Sequence, residues 1–229
     1  CSSLTQIAIP SSVTLIGNSA FCGCSSLAQI TIASSVTSIG DYAFSYCRAV
    51  KQITIPSSVT SIGKFAFSGC SSLTQVTILS SEMKSIEEYA FYNCSSLTQI
   101  TLPSSVKLIG KNAFAGCTSL AQITLPSSLK SIGESAFFGC NSLAQLTIPS
   151  YVKSIESDAF SGCSSLAQLT IPSTVTSIGK NAFYNCLKLS QSVHPNYSNV
   201  FHILFNIKLS SNFFTQPQNY STSSSLPSH

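Results

Sequence analysis

Hydrophobic and polar positions follow one another along this chain in a pattern that repeats every 23 residues. The unit that begins at Cys24 reads CSSLAQITIASSVTSIGDYAFSY, and its positions 4, 7, 9, 13, 16, 20 and 21 are apolar in each of eight copies. A cysteine opens every copy and a partial ninth, at Cys1, Cys24, Cys47, Cys70, Cys94, Cys117, Cys140, Cys163 and Cys186. Self-similarity at this period is typical of a repeat architecture.

Each unit divides into a strand, a turn and a second apolar stretch. Leu-x-x-Ile-x-Ile alternates with period two and is rich in β-branched residues, which predicts a short strand over unit positions 5–9. Proline at position 10 ends that strand in six copies. Val-x-x-Ile-Gly follows a Ser-Ser turn, and glycine suits a tight turn at position 17, although Glu87 and Glu156 replace it twice. The Ala-Phe-x-x-Cys stretch predicts a helical turn before the next strand.

The copy that begins at Cys70 has 24 residues, and its extra residue falls in the turn Ser80–Ser81–Glu82–Met83. One added residue in a turn costs little, so we expect the core positions on both sides to keep their register. A single unit cannot bury its own apolar side chains. Stacked units gain a parallel hydrogen-bond ladder and a continuous core, which makes stability a sum over neighbouring units.

The pattern L-x-x-I-x-I-P-x-x-V-x-x-I-G-x-x-A-F-x-x-C resembles the BspA-like leucine-rich repeat, a 23-residue class found in surface proteins. The resemblance implies a right-handed leucine-rich-repeat superhelix. A parallel β-sheet is expected on its concave face, with short strands or helical turns on the other side. It also implies a surface antigen or adhesin.

The array is predicted to cover residues 1–193 as eight full repeats and a partial ninth. A non-repeat tail at 194–229 is expected to be partly disordered. Two interpretations of the tail stay open: Val200, Ile203, Leu204 and Phe205 cap the last coil, or the tail is not part of an evolved domain.

The residues at strand positions 6 and 8 point away from the core, because side chains alternate across a strand. They are glutamine and threonine in seven successive copies: Gln29, Thr31, Gln52, Thr54, Gln75, Thr77, Gln99, Thr101, Gln122, Thr124, Gln145, Thr147, Gln168 and Thr170. The first copy departs, with Gln6 followed by Ala8. Two interpretations compete: stacked amides that stabilise the sheet, or an uncharged recognition surface for a ligand.

Position 14 forms a second stripe. It is threonine in four copies and lysine in four successive ones, Lys84, Lys107, Lys130 and Lys153. Four stacked lysines would suit an acidic glycan or a phosphate surface. The alternative is that exposed lysines keep the solenoid soluble.

The ladder cysteines are expected to be buried thiols that fill the core, because free cysteine is among the most buried residue types. Disulfides between coils are the alternative. Cys22 alone stands outside the ladder, and Cys22–Gly23–Cys24 lacks the second pair of ligands that a structural zinc site needs.

The repeat array contains few residues of the types that usually carry out catalysis. All three histidines, His194, His202 and His229, lie in the tail, which excludes histidine-based triads and metal sites from the array. The acidic pairs Glu87–Glu88 and Glu156–Asp158 are interpreted as solvated turns. We therefore predict no enzyme, no cofactor and no metal site.

Charge and hydropathy narrow the class of partner. A net charge of +4 without a block of like charges does not indicate binding to nucleic acid. The sequence contains no run of 18 apolar residues, which a membrane-spanning helix would need. The predicted function is a non-enzymatic binding solenoid at the cell surface or secreted, which recognises protein or glycan ligands such as extracellular-matrix or host-cell components. The alternatives are a cytoplasmic scaffold for protein partners, in keeping with the many thiols, and an ice binder suggested by the threonine row.

Overall fold

The computed structural model describes residues 1–189 and shows a parallel β-solenoid of about eight turns, with no α-helix in that part of the chain. Each turn, here called a coil, starts at a ladder cysteine, so coil 1 starts at Cys1 and coil 8 at Cys163. The sixteen strands within residues 1–189 are β1 (Gln6–Ala8), β2 (Leu15–Ile16), β3 (Gln29–Thr31), β4 (Ser38–Ile39), β5 (Gln52–Ile55), β6 (Ser61–Ile62), β7 (Gln75–Ile78), β8 (Ser85–Ile86), β9 (Gln99–Thr101), β10 (Leu108–Ile109), β11 (Gln122–Thr124), β12 (Ser131–Ile132), β13 (Gln145–Thr147), β14 (Ser154–Ile155), β15 (Gln168–Thr170) and β16 (Ser177–Ile178). The solenoid and its short parallel strands confirm the predicted fold class.

Odd-numbered strands form the strand face, and even-numbered strands form a second strand row. Along the strand face the hydrogen-bonded groups are β1-β3, β5-β7-β9-β11 and β13-β15. The second row comprises β2-β4-β6 and β8-β10-β12-β14-β16. All of these pairs are parallel, and each residue is paired with its equivalent in the next coil, as Ile53 is with Val76. The observed strands match the interval predicted for the first strand of the unit.

The extra residue of coil 4 interrupts only the second row. The row is broken between β6 and β8, on either side of the turn that contains the additional residue, whereas the strand face continues through β5, β7 and β9. Ser80 is buried in this turn, and its hydroxyl accepts a hydrogen bond from the backbone N–H of Glu82 at 3.3 Å. Met83 and Ile86 are both buried. The insertion is therefore absorbed in the turn, and the core register is kept as predicted.

The Ala-Phe-x-x-Cys stretch is a series of tight turns, so the expected helical turn is wrong in detail. Position 19 has a positive φ in all eight coils, at Ser19, Tyr42, Phe65, Tyr89, Asn112, Ser135, Asp158 and Asn181, and position 23 does so as well. In coil 1 the N–H groups of Ser19, Phe21 and Gly23 donate to carbonyls of coil 2 at 2.7–2.8 Å. A helix would satisfy these N–H groups internally and leave the coils unlinked along this edge.

Ladders of identical residues fill the core. Phe21, Phe44, Phe67, Phe91, Phe114, Phe137, Phe160 and Phe183 stack in one column, with ring centroids 5.2–5.5 Å apart and ring planes within 12° of parallel. Every ladder cysteine after Cys1 is buried and unpaired, whereas Cys1 and Cys22 are exposed. From Cys47 onward, each ladder thiol donates to the carbonyl of the phenylalanine 26 or 27 residues earlier in the chain, at 3.1–3.3 Å. The packing interpretation of the cysteines is thus confirmed.

Glycine at position 17 sets the approach of one coil to the next. A Cβ on Gly133 would lie 2.7 Å from the backbone N of Lys111 and 2.8 Å from the carbonyl C of Gly110, whereas a Cβ on Gly17 would meet nothing within 4 Å. We expect Gly133→Ala to lower the free energy of unfolding by about 1–3 kcal/mol, because overpacking displaces backbone. Gly17→Ala, in the first coil, is expected to have an effect within about 0.5 kcal/mol.

The free energy of unfolding of both variants is measured by urea titration, with circular dichroism as the signal. Glu87 and Glu156 occupy the same unit position in other coils, so the cost arises from shifting a coil already built around glycine. Equal stability of the two variants would show that backbone approach at this position does not limit the stack.

Candidate binding surface

The glutamines and threonines predicted to face outward do so, in two rows along the strand face. All seven glutamines are exposed, and so are six of the seven threonines, Thr77 being half-buried. Strand pairing places Gln52 beside Gln75, Gln75 beside Gln99 and Gln99 beside Gln122. The intervening residues, such as Ile53 and Val76, are buried. The sequence therefore located a regular, uncharged surface, while its role in ligand binding stays a prediction.

The glutamine amides are not used to hold the protein together. Among the hydrogen bonds of residues 1–189, none joins the side chain of one of these glutamines to another side chain. The coils are joined instead by backbone pairing beneath the row, as between Gln145 and Gln168. Each amide thus keeps its two donor hydrogens and its acceptor oxygen for a bound molecule or for water.

A shallow cavity of about 500 Å³ opens on this face between coils 6 and 8. It lies where β11 and β13 belong to different hydrogen-bonded groups. Thr124, Gln145, Thr147, Gln168 and Thr170 supply hydroxyl and amide groups to its wall. Its remaining lining residues are Ile123, Leu125, Ser127, Leu146 and Pro149. Six of the ten lining residues are polar, so this cavity is more polar than a small-molecule site, which hydrophobic side chains usually line.

The lysine stripe lies directly before the strands of the second row. Lys84, Lys107, Lys130 and Lys153 are all exposed. The backbone N–H of Lys107 donates to the carbonyl of Lys84 at 2.7 Å, and that of Lys130 to the carbonyl of Lys107 at 2.9 Å. These bonds place the lysines side by side in successive coils.

An aromatic column on the turns was missed by sequence reasoning. Tyr42, Phe65 and Tyr89 stack face to face, with centroids 4.6 and 4.3 Å apart, and each has a φ of 58°. A left-handed backbone is unusual for bulky residues and is kept only where the surrounding structure imposes it. The available signal was that position 19 is aromatic in three successive copies and is otherwise Ser, Asn or Asp.

Several acidic residues have partners of their own on the surface. Glu88 binds Lys64 at 3.1 Å, and this hydrogen bond raises the pKa of Lys64. Glu134 binds Lys111 at 3.0 Å and raises the pKa of that lysine in the same way. The hydroxyl of Ser85 donates to the neighbouring Glu87. These three carboxylates therefore take part in surface contacts within or between coils.

Neither clustered metal ligands nor a membrane-spanning helix is found in the described part of the chain. Within residues 1–189 there is no cluster of three or more His, Cys, Asp or Glu side chains arranged to hold a metal ion. Cys22 is exposed and Cys24 is buried, so the two thiols do not face a common site. No helix in residues 1–189 has the length and apolar character to cross a membrane. The three histidines of the tail lie outside the described residues.

Comparison with known families identifies the repeat. A model of the family described as "BspA type Leucine rich repeat region" matches residues 1–95 and 84–209, with six copies. The matched range extends beyond residue 193, the predicted end of the array. Residue 193 lies outside the described residues. No curated protein is significantly similar to the chain in sequence.

Solved structures of bacterial repeat proteins have a similar fold. A leucine-rich cell surface protein from Faecalibacterium prausnitzii is 34% identical with a TM-score of 0.55, over 82% of this chain and 59% of that one. A leucine-rich repeat protein of T. pallidum is 28% identical with a TM-score of 0.60, over 93% and 84%. The pneumococcal vaccine antigen PcpA is 26% identical with a TM-score of 0.51, over 80% and 55%. The chain thus spans only a little over half of two of these proteins.

Proposed function

Since this chain belongs to the BspA-type leucine-rich repeat family, we propose that it is a non-enzymatic binding solenoid of the cell surface or of a secreted protein, and that it recognises protein or glycan ligands. The observation that carries the proposal is the strand face. Its glutamine and threonine rows are exposed, in register and free of charge. A surface this regular offers hydrogen-bond donors and acceptors at a fixed spacing of about 4.8 Å between coils.

The similar structures support the surface location. One of them is described as a cell surface protein and another as a vaccine antigen. The same face contains the cavity between coils 6 and 8, where Gln145 and Thr147 meet apolar side chains. An uncharged ligand that can hydrogen-bond, such as a peptide backbone or a neutral sugar, suits these groups.

We expect Gln75→Arg/Gln99→Arg/Gln122→Arg to reduce binding of the purified protein to cultured epithelial cells and to immobilised matrix proteins by at least tenfold. Three adjacent guanidinium groups would crowd the face and repel one another, whereas the exposed positions leave the core intact. Binding is measured by surface plasmon resonance and by flow cytometry, after circular dichroism has confirmed folding.

Thr14→Arg/Thr37→Arg/Thr60→Arg is the matched control. It adds the same charge directly before the strands of the second row, at exposed positions where other coils have lysine. The control is expected to bind at least as well as the wild-type protein. Equal loss in both variants would remove the strand face as the recognition surface, and failure of the wild-type protein to bind cells or matrix would favour a scaffold for intracellular partners.

A further inference from the structure

Two pairs of charged residues in the array are neutralised by the stacking of one coil on the next. Unit position 18 is Asp41, Lys64, Glu88, Lys111 and Glu134 in coils 2 to 6, so neighbours in this column alternate in sign. Two ion pairs form along it, Lys64 with Glu88 at 3.1 Å and Lys111 with Glu134 at 3.0 Å. Because the solenoid brings equal unit positions together, alternation of sign is the arrangement that stabilises such a column.

The lysine stripe departs from this rule. Lys84, Lys107, Lys130 and Lys153 put the same charge at the same position of four successive coils, where like charges repel. The other seven basic residues of the chain equal its seven acidic residues in number, so the net charge of +4 equals the charge of the stripe. Threonine at this position in coils 1, 2, 3 and 8 shows that the fold does not require lysine there.

The two end lysines of the stripe are followed by a glutamate at a unit position where the two middle coils have glycine. Glu82 contacts Lys84 at 3.5 Å, and both side chains are well exposed. Glu87 and Glu156 follow Lys84 and Lys153 by three residues, and each accepts a hydrogen bond from a serine hydroxyl. The residues equivalent to those glutamates after Lys107 and Lys130 are glycines. Among residues 1–189, neither Lys107 nor Lys130 forms an ion pair, and Glu134, four residues after Lys130, is paired with Lys111 instead.

The shape of the stripe favours a single extended polyanion. Three steps of about 4.8 Å place the four lysines in single file over about 14 Å. The exposed residues three positions before Lys107, Lys130 and Lys153 are the serines Ser104, Ser127 and Ser150, which supply hydroxyls for hydrogen bonding.

Other polyanions fit less well. Single-stranded nucleic acid stacks successive bases on several aromatic side chains. Only one exposed aromatic residue, Tyr151, lies within two residues of a stripe lysine, and the aromatic column lies on the turns of coils 2 to 4. Arg48, the only arginine of the chain, is not part of the stripe either. An anionic membrane would need a broad face with apolar anchors, and a row one residue wide does not provide it.

We propose that the lysine stripe, Lys84, Lys107, Lys130 and Lys153, binds a linear anionic polysaccharide, with its sulfate or carboxylate groups placed along the ammonium groups and its hydroxyls near the serines. This site is separate from the strand face and does not depend on the function proposed for that face.

The test measures binding of dextran sulfate, with uncharged dextran as the ligand control, by isothermal titration calorimetry. Lys107→Thr/Lys130→Thr introduces the residue that other coils have at this position and is expected to weaken binding at least tenfold. Lys64→Thr/Lys111→Thr removes the same charge from position 18 and is expected to change the Kd less than twofold. Thr176 is exposed, and its backbone N–H donates to the carbonyl of Lys153 at 2.9 Å. Thr176→Lys therefore lengthens the stripe to five lysines and is expected to lower the Kd for dextran sulfate.

Three results would overturn the proposal: no binding of dextran sulfate by the wild-type protein, equal weakening in the two double variants, or stronger binding of a DNA duplex that is lost in Lys107→Thr/Lys130→Thr. Either of the first two results would exclude a polysaccharide site at the lysine stripe. The third result would show that the stripe binds nucleic acid instead. The triple arginine variant of the strand face is expected to keep its affinity for dextran sulfate, so failure of one proposal is distinguishable from failure of the other.

Discussion

Raising the pH from 8 to 11 is expected to unfold the array, because its core is built around thiols that cannot ionise in place. Burial raises the pKa of Cys47, Cys117 and Cys186 to about 12 from an ordinary value of 9.0. The pKa values of Cys70, Cys94, Cys140 and Cys163 are raised for the same reason. Nearby ladder thiols add to the increase for most of these groups.

The direction of the effect follows from where the protons are held. Below pH 9 both the folded and the unfolded chain keep these thiols protonated, so their contribution to stability is fully present. Between pH 9 and about 12 only the unfolded chain releases the protons, and each thiol then removes about 1.4 kcal/mol of stability per pH unit. Seven such thiols exceed the 5–15 kcal/mol that is typical of a folded domain within about two pH units.

The measurement is the urea midpoint by circular dichroism at intervals from pH 7 to 11, for wild type and for Cys117→Ala/Cys140→Ala. The variant starts with lower stability at neutral pH, since two filled core positions are emptied. Above pH 9 its free energy of unfolding is expected to fall by about 2.8 kcal/mol per pH unit less than that of the wild-type protein, because two thiols are removed and the other titrating groups are common to both proteins. Identical slopes would contradict a role for the buried thiols.

Phe114→Ala is expected to lower the free energy of unfolding by about 3–5 kcal/mol, the usual cost of emptying a buried aromatic site. The ring of Phe114 is fully buried and stacks on Phe91 at 5.5 Å and on Phe137 at 5.3 Å. Its loss therefore removes two ring contacts in the middle of the array. Because stability is a sum over neighbouring coils, the two halves are also expected to unfold less cooperatively, with a smaller m-value.

Phe21→Ala is the control for Phe114→Ala. Phe21 occupies the same unit position in coil 1, is half-buried and stacks on Phe44 alone, at 5.3 Å. Its removal is expected to cost about 1 kcal/mol, in proportion to its smaller burial. Urea unfolding of both variants gives the comparison. Equal losses would show that the column does not act as a continuous ladder.

Sequence periodicity alone was sufficient to predict the repeat length, the solenoid, the first strand and the residues on its exposed side. The reason is that a repeated unit meets its own copy at a fixed register, so one pattern such as Leu-x-x-Ile-x-Ile specifies burial in every coil. The ladder position of Cys117 predicted a buried thiol on the same grounds. The function of the exposed rows could not be predicted in this way, because Gln75 is equally suited to stacking in a sheet and to binding a ligand.

Three features were decided only by the tertiary structure. The positive φ of Phe65 and its equivalents turns a predicted helical segment into a set of turns that hydrogen-bond from coil to coil. Stacking then brings Tyr42, Phe65 and Tyr89 into one aromatic column, and pairs Lys64 with Glu88 across 24 residues of sequence. Local sequence shows which residues one coil contains, whereas contacts between coils depend on where the neighbouring backbone lies. The repeat and its two faces were thus determined by the sequence, and the turn geometry, the aromatic column and the contrast between neutralised and unneutralised charge by the packing of one coil on the next.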